Sequence, residues 1–389
     1  MSGSNILTVR RMILLSGIFL IFIYFRFFSL QKSGSMKKTF YSLTILLAIF
    51  CLPAYCQNDQ ADSTGAANDT IPQNFGLFSS DEILNLSLRF DLTEYMRKKP
   101  KEEYMKAILT YHISDTDSIN KEIKLRSRGV SRNNICNFPP ISLNFKKNDL
   151  KTSDLKTVDK IKLVTHCNSG NEEYLFKEFL VYKLYNVLTE YSFKVRLVKI
   201  DYISTAKNNR IIRTYAFLIE PADMLAERTK SSTVETLALS QRSINPEIMD
   251  RMSIFNYMIG NTDWSVAGQH NCKVLSVPDP DHPGLGTIVP YDFDYSGLVN
   301  AHYALPAEGL GLESVRQRRF LLECRSLEQY TKALKEFSEK KSEFYRIINE
   351  FTYLNEKDKK YMIAYLNEFF KDLDTGVLIK TFQRECSNK

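Results

Sequence analysis

Acidic residues are absent from the first 56 positions, which carry Arg10, Arg11, Arg26, Lys32, Lys37 and Lys38. That absence relocates the basicity of the chain. The formal charge is +7, and setting those six residues aside leaves 46 of the 52 basic residues against 45 acidic ones, a net of +1 for the remainder. So balanced a body lacks the counterion-releasing surface that nucleic-acid binders use, and no nucleic-acid partner is expected. No CxxC pair occurs among the seven cysteines, which argues against a zinc site of paired thiolates. Five cysteines lie beyond residue 56, at Cys136, Cys167, Cys272, Cys324 and Cys386. The set is odd and scattered, so no disulfide scaffold is expected and at least one thiol stays free and buried. Internal repeats and low-complexity tracts are lacking too, and tryptophan occurs once, at Trp264.

What the leader does have is two apolar tracts. The first, Met12 to Phe25, is shorter than the ~20 residues a membrane span needs. The second begins at Met36 and reads MKKTFYSLTILLAIFCLPAYCQ, with Lys37-Lys38, an apolar core and Ala54 near its end. That is the form of a secretory signal peptide, with cleavage after Cys56. Met36 is therefore read as the true start and residues 1–35 as an over-extension. The expectation is an exported protein, periplasmic or at the cell surface, with no stable membrane span in the mature chain. The alternative is a chain anchored through an uncleaved leader. Residues 1–56 form the leader, 57–75 a polar tether with little to bury, 76–219 a β-rich lobe and 220–389 a helical lobe.

In the first of these lobes, residues 121–129, 139–147, 159–166, 193–203 and 211–220 read as strands, each β-branched or aromatic-rich between turn residues. Residues 172–188 contain no Gly or Pro and are apolar almost all round, which predicts one largely buried helix. Residues 245–261 predict a second helix, capped by Asn245, with Pro246 in its first turn and Gly260-Asn261 as its stop. CKVLSV and GTIVPYD predict a hairpin around PDPDHPGL, and residues 312–386 are helical and charged. Together these elements predict an α+β, two-lobed plan with a β-rich N-lobe holding one inserted helix and a mostly helical C-lobe.

Phosphoryl transfer calls for a strand lysine on the phosphates and a helix glutamate. It also calls for a loop aspartate near the attacking hydroxyl, a downstream asparagine and a second aspartate on the metal. Candidates stand in that order. Lys162 lies on a strand, with Lys146 as its alternative. Glu178 projects between Tyr174, Leu175, Val181 and Tyr182, an apolar setting in which a carboxylate needs a cation. Lys162 or a residue of its own helix would supply one. Asp263 follows the helix stop, and Asn271 precedes a strand. Asp292 and Asp294 leave the next strand on one side, about 6 to 7 Å apart if the chain stays extended. Asn271, Asp292 and Asp294 are hard-oxygen ligands suited to Mg²⁺ or Mn²⁺. His270, with no second histidine nearby, reads as a loop hydrogen bonder, and Trp264 as packing.

The run GNTDW…HN followed by VPYDFDYSG resembles the catalytic segment of CotH-type atypical kinases, the spore-coat kinase family, and is more distantly similar to that of HipA-type kinases. LRSRGVSR…PPISLNF resembles the CotH pattern of an Arg-Gly turn before a Pro-containing strand. The resemblance covers roughly residues 120 to 300 and implies a protein-kinase-like fold that binds ATP with Mg²⁺ or Mn²⁺. It implies Asp263 as catalytic aspartate, Asn271 and Asp292 as metal ligands, and Asp294 as a second carboxylate at the metal. RSRGVSR has one glycine where nucleotide-covering loops have several, and Arg126, Arg128 and Arg132 could hold phosphate there by charge and bidentate geometry, unless the turn is a solvated hairpin tip. The expected function is an exported atypical kinase that moves the ATP γ-phosphoryl group to a protein Ser/Thr or another hydroxyl. The alternatives are a degenerate nucleotide- or partner-binding module and a metal-dependent phosphoesterase. Terminal sequencing of protein recovered from cells should find the mature chain beginning near Gln57; a retained Met1 or Met36 would overturn the export reading.

Overall fold

Leu84, Leu86, Leu88 and Phe90 alternate along LNLSLRF and are all buried, which makes residues Leu84–Phe90 a strand, β1. Neither this segment nor β2 (Met105–His112) is among the strands expected from sequence, and these two decide the architecture. The computed structural model describes residues 77–145, 159–206 and 210–388. In it β1 and β2 join β3 (Ser118–Ser127), β4 (Ile141–Asn144), β5 (Lys160–Val164), β6 (Val195–Ser204) and β7 (Ile211–Ile219). They form a closed barrel in the order β1-β2-β3-β4-β5-β7-β6. Every pairing is antiparallel except the seam, where β1 runs parallel to β6 from Leu84 opposite Val198 to Phe90 opposite Ser204.

The expected two-lobed, protein-kinase-like plan is therefore wrong. The five strands read from sequence would leave an open sheet, and the two unread ones pair on both sides and remove its edges. Leu88, Leu125, Ile141, Leu163 and Ile200 are fully buried in one apolar cluster made by the barrel strands. The short helix α1 (Leu92–Lys98) caps this cluster, where the Tyr95 hydroxyl donates to the Pro139 carbonyl at 3.0 Å. A second, five-residue helix, α2 (Ser131–Ile135), follows β3.

The predicted buried helix is α3 (Glu172–Leu188), and every residue from Leu175 to Tyr182 is buried. It is apolar all round because it is covered on both sides. Phe179 and Tyr182 meet Phe217 of β7 edge-on at 5.9 and 5.7 Å. Tyr185 packs on Phe255, 4.8 Å away, in α5 (Pro246–Ile259). One apolar cluster thus runs from the barrel wall through α3 into α6 (Leu327–Glu350), α7 (Glu356–Asp374) and α8 (Val377–Ser387). Each large side chain so buried contributes roughly 1.5–3 kcal/mol.

The second predicted helix also forms. The Asn245 side chain accepts from the Glu247 and Ile248 amides at 3.0 and 3.4 Å, and Gly260 ends α5 with φ +67°. After α4 (Ala222–Arg228) comes a small sheet of β8 (Ser232–Thr233), β9 (Cys272–Ser276) and β10 (Gly286–Pro290), of which the last two are the expected hairpin. The C-terminal helices begin later than expected. Leu312 to Ser326 is irregular, and α6 starts where Ser326 and Gln329 form a capping box.

Cysteine usage is a further correction. Cys136 is bonded to Cys167 and Cys324 to Cys386, across 31 and 62 residues, and the buried Cys272 is free. Spacing gave no hint of these pairs because the fold, and not the local chain, brings their Cα atoms to 4.6 and 5.6 Å. Among the described residues no helix is long and apolar enough to cross a membrane. The leader, the tether and Lys146 lie outside the described residues. Hydrogen exchange tests the barrel seam. The β1 amides of Leu84–Phe90 should be protected like those of β7, whereas exchange at the rate of an exposed edge strand would show the sheet to be open.

Candidate functional site

Three carboxylates meet where α3 passes the end of β10. Glu178 comes from the middle of α3, and oxygens of Glu178, Asp292 and Asp294 all lie within 4.8 Å of one another. The two aspartates do not continue an extended strand, as the alternation rule would have it. Asp292 has φ +65°, so the chain turns at once after Tyr291 and brings both carboxylates towards the helix. Aspartate is among the few residues that tolerate this left-handed conformation. Tyr182, one turn along α3 from Glu178, holds the bend, because the Asp292 N–H donates to its hydroxyl at 2.8 Å.

The two halves of the motif are also tied together. The Gly297 N–H donates to the Gly260 carbonyl at 3.0 Å. A Cβ on Gly297 would run into the Tyr365 hydroxyl and the Val315 carbonyl, which explains the glycine. Downstream of Gly260, the Asn261 side chain accepts from the Asp263 N–H at 3.1 Å and fixes the loop onto α5. Asn271 donates through its amide to the Asp263 carbonyl and carboxylate at 2.8 and 2.9 Å. His270 Nε2 lies 2.8 Å from the other Asp263 oxygen, which is the loop role expected of it. Trp264 packs with Met249, Met252 and Val274, also as expected.

The cation beside the carboxylates is not the one expected. Arg132 from α2 places Nη1 3.4 Å from Glu178 and Nε 4.0 Å from Asp294, and Nη2 donates to the Thr165 carbonyl at 2.6 Å. Neither Lys162 nor a neighbour on α3 is the partner of Glu178. Its counterion arrives on α2, a five-residue element whose sequence carries no sign of that destination. Lys162 instead sits over the Tyr291 ring, its ammonium 4.0 Å from the ring centre. It also lines a cavity of about 620 Å³ with Arg128, Lys273, Ser142, Phe193 and the segment from Glu220 to Met224. Burial, then the nearby Arg128, pulls the Lys162 ammonium down to about 7, against the attraction of Asp292.

One guanidinium does not balance three carboxylates. Burial, then repulsion from Asp292, pushes Asp294 up to about 7, although Arg132 and a hydrogen bond to the Tyr303 hydroxyl oppose the shift. Burial, then Asp294, likewise pushes Glu178 well above its ordinary range. Glu178 Oε1 and Asp294 Oδ2 are buried with no hydrogen-bond partner among the described residues. Buried carboxylate oxygens without partners are costly, and a hard divalent cation satisfies them with the ligand chemistry it prefers. The residues present therefore fit a Mg²⁺- or Mn²⁺-type ion held by Glu178, Asp292 and Asp294.

Of the residues singled out from sequence, Asp292 and Asp294 converge and Glu178 joins them, while Asn271 is placed against Asp263. Asp263 itself bears electrostatically on Asp294. Lys162 and Arg128 line the neighbouring cavity. Sequence reasoning missed the structural parts of Arg132, Tyr182, Tyr291 and Tyr303. The buried setting of Glu178 was the one available signal, since it demands a cation without saying which. No protein-family model matches the chain, and no curated protein matches it in sequence.

The raised Asp294 carboxyl gives a signed pH dependence. Metal-free folded protein holds a proton between about 4 and about 7 that the unfolded chain, near its ordinary 3.8, has released. The contribution of Asp294 to the stability of the metal-free protein should therefore fall as pH rises through that window, against the opposite contribution of His166, which burial lowers. Mn²⁺ binds the deprotonated form, so its stabilising shift in Tm should be larger at pH 8 than at pH 6. Thermal melts of wild type and Asp294→Asn, with chelator and with Mn²⁺, check both, and metal-free pH profiles that coincide for the two proteins would contradict the assignment.

Proposed function

We propose that this protein is a metal-dependent phosphotransferase, an atypical kinase that moves the γ-phosphoryl group of ATP to a protein Ser/Thr or to another hydroxyl-bearing acceptor. The observation that carries the reading is one shared border. Lys162 lines the cavity and lies over Tyr291, the residue that leads into Asp292 and Asp294, beside the partnerless Glu178 Oε1 and Asp294 Oδ2. A cavity of about 620 Å³ falls within the usual range for small-molecule sites. The resemblance of residues 120 to 300 to CotH-type kinases points the same way.

In this reading Lys162, Arg128 and Lys273 hold the phosphates of the donor. Glu178, Asp292 and Asp294 would hold a divalent ion, which would neutralise part of the phosphate charge. Asp263 orients the acceptor hydroxyl and takes up its proton. Each Asp263 oxygen already accepts one hydrogen bond, from His270 or Asn271, and a carboxylate oxygen retains room for a second. His270 and Asn271 fix the angle at which Asp263 meets the hydroxyl. As the oxygen–phosphorus bond to the acceptor forms, the bond from the γ-phosphorus to the bridging oxygen breaks, and ADP leaves with its negative charge held by Lys162, Arg128 and Lys273.

A binding module without turnover is the second reading, favoured by those same hydrogen bonds, which leave Asp263 engaged before any acceptor arrives. Export, with a periplasmic or cell-surface location, belongs to the proposal too. Its support is the signal-like leader and the two disulfides, which persist in oxidising compartments.

The two readings separate on one asymmetry. Asp292→Asn should weaken Mg²⁺- or Mn²⁺-dependent ATP binding, whereas Asp263→Asn should leave that binding nearly intact and remove transfer, by about 100-fold or more for a lost general base. Calorimetric titration of ATP with each metal, beside a phosphate-transfer assay on the same variants, reads both. A wild-type protein that binds ATP without transfer would favour the binding module, and one that binds no ATP with either metal would end both readings.

A further inference from the structure

Arg132 reaches the carboxylates from a helix too short to hold itself in place. α2 has five residues and no side-chain N-cap, and Val130 just before it is 77% exposed. Isolated, so short a segment has no stability of its own. What fixes it lies at its two ends. At the start, the Ser131 hydroxyl is hydrogen-bonded to the Tyr295 hydroxyl, next to Asp294. At the other end, Cys136 caps the helix and is bonded to the buried Cys167.

From the disulfide a short circuit leads back to Arg132. The Phe138 N–H donates to the Cys167 carbonyl at 2.9 Å, and the Thr165 hydroxyl donates to the Phe138 carbonyl at 3.0 Å. The Thr165 carbonyl accepts from Arg132 at 2.6 Å, and Arg132 in turn meets Glu178 and Asp294. The disulfide is thus the one covalent member of a ring of contacts that aims the guanidinium. Cys324–Cys386 has no part in it. That bond joins the segment before α6 to the end of α8, and its neighbour is the Tyr330 hydroxyl.

We propose that the Cys136–Cys167 disulfide assembles the divalent-cation site, with Arg132 as the positioning residue that fixes Glu178 and Asp294. The inference rests on the metal reading given above. With the bond open, α2 loosens, Arg132 loses its aim, and the two carboxylates turn away from a common ion. Closing it takes two protons and two electrons from the paired thiols; a disulfide-bearing oxidant accepts them and leaves as a dithiol. The site becomes competent for its ion only where such an oxidant acts, so a reduced chain would carry a dormant site.

The test is Mn²⁺ binding by the full chain, followed through the electron paramagnetic resonance signal of the free ion. Cys136→Ala with Cys167→Ala should bind Mn²⁺ about 10- to 100-fold more weakly, the usual scale for losing a group that orients metal ligands. Cys324→Ala with Cys386→Ala should bind it within about twofold of wild type, whatever happens to Tm. Adding Arg132→Gln to the first pair should weaken binding little further, while adding it to the second should exert its full effect. That non-additivity is the signature of action through Arg132, which general destabilisation would not produce. Should the first pair fail to fold, titration of wild type with dithiothreitol replaces it. Mn²⁺ release must then track opening of Cys136–Cys167, followed by thiol mass labelling, and not of Cys324–Cys386. Equal affinity in the two cysteine pairs, additive losses with Arg132→Gln, or release that tracks the other disulfide would overturn the proposal. Wild type that binds no Mn²⁺ would remove the metal reading itself, a different failure from any of these.

Discussion

Two buried carboxylates and a half-buried third face a single guanidinium, and much of the surrounding structure is arranged around that imbalance. Removed from water, Glu178 and Asp294 cannot all remain charged on the strength of Arg132 alone, and each is pushed towards its protonated form. Two of their oxygens have no hydrogen-bond partner among the described residues. A fold selected for stability alone would not hold such a set, because replacing it with apolar side chains removes the desolvation cost. The cost is concentrated at one place, beside a cavity lined by Lys162, Arg128 and Lys273, and perturbed carboxylates gathered in this way are the pattern of a functional site.

The helix α3 makes that concentration possible. It is buried between the barrel wall and the C-terminal helices, so packing on both sides fixes the backbone at Glu178 and leaves the aim of its carboxylate to Arg132. Tyr182 on the same helix fixes the bend at Asp292. Stability and site geometry are therefore carried by the same seventeen residues. The cation comes from the opposite kind of element, the marginal helix α2, held at its ends by one hydroxyl pair and one disulfide and between them by the contacts of Arg132 itself. A rigid anion carrier joined to a cation carrier of low intrinsic stability places any adjustability of the site on the cation side.

How much of this was legible in the sequence follows from the range of the interactions. Helix periodicity and caps are local, and residues 172–188 and the Asn245-capped helix are found where the pattern places them. Strand alternation is local too, and five barrel strands are legible; β1 and β2 carry the same kind of alternation in less β-branched runs, which makes them harder to tell from loop. Missing them mattered out of proportion, because closure depends on a seam between β1 and β6 that lie more than a hundred residues apart. An open two-lobed plan was the wrong consequence of an incomplete strand count.

The same division holds within the candidate site. The order of Lys162, Glu178, Asp263, Asn271, Asp292 and Asp294 is written in the chain, and so is the need of Glu178 for a cation, because an apolar helix face leaves a carboxylate no other recourse. The sequence by itself determined which groups could carry chemistry and which local elements would present them. Only the tertiary structure decided that Arg132 and not Lys162 meets Glu178, that a left-handed Asp292 draws two aspartates to the helix, and that the cysteines pair across 31 and 62 residues. Those outcomes depend on through-space neighbours whose identity no local pattern encodes, since electrostatic pairing and disulfide geometry depend on final distances and not on separation along the chain.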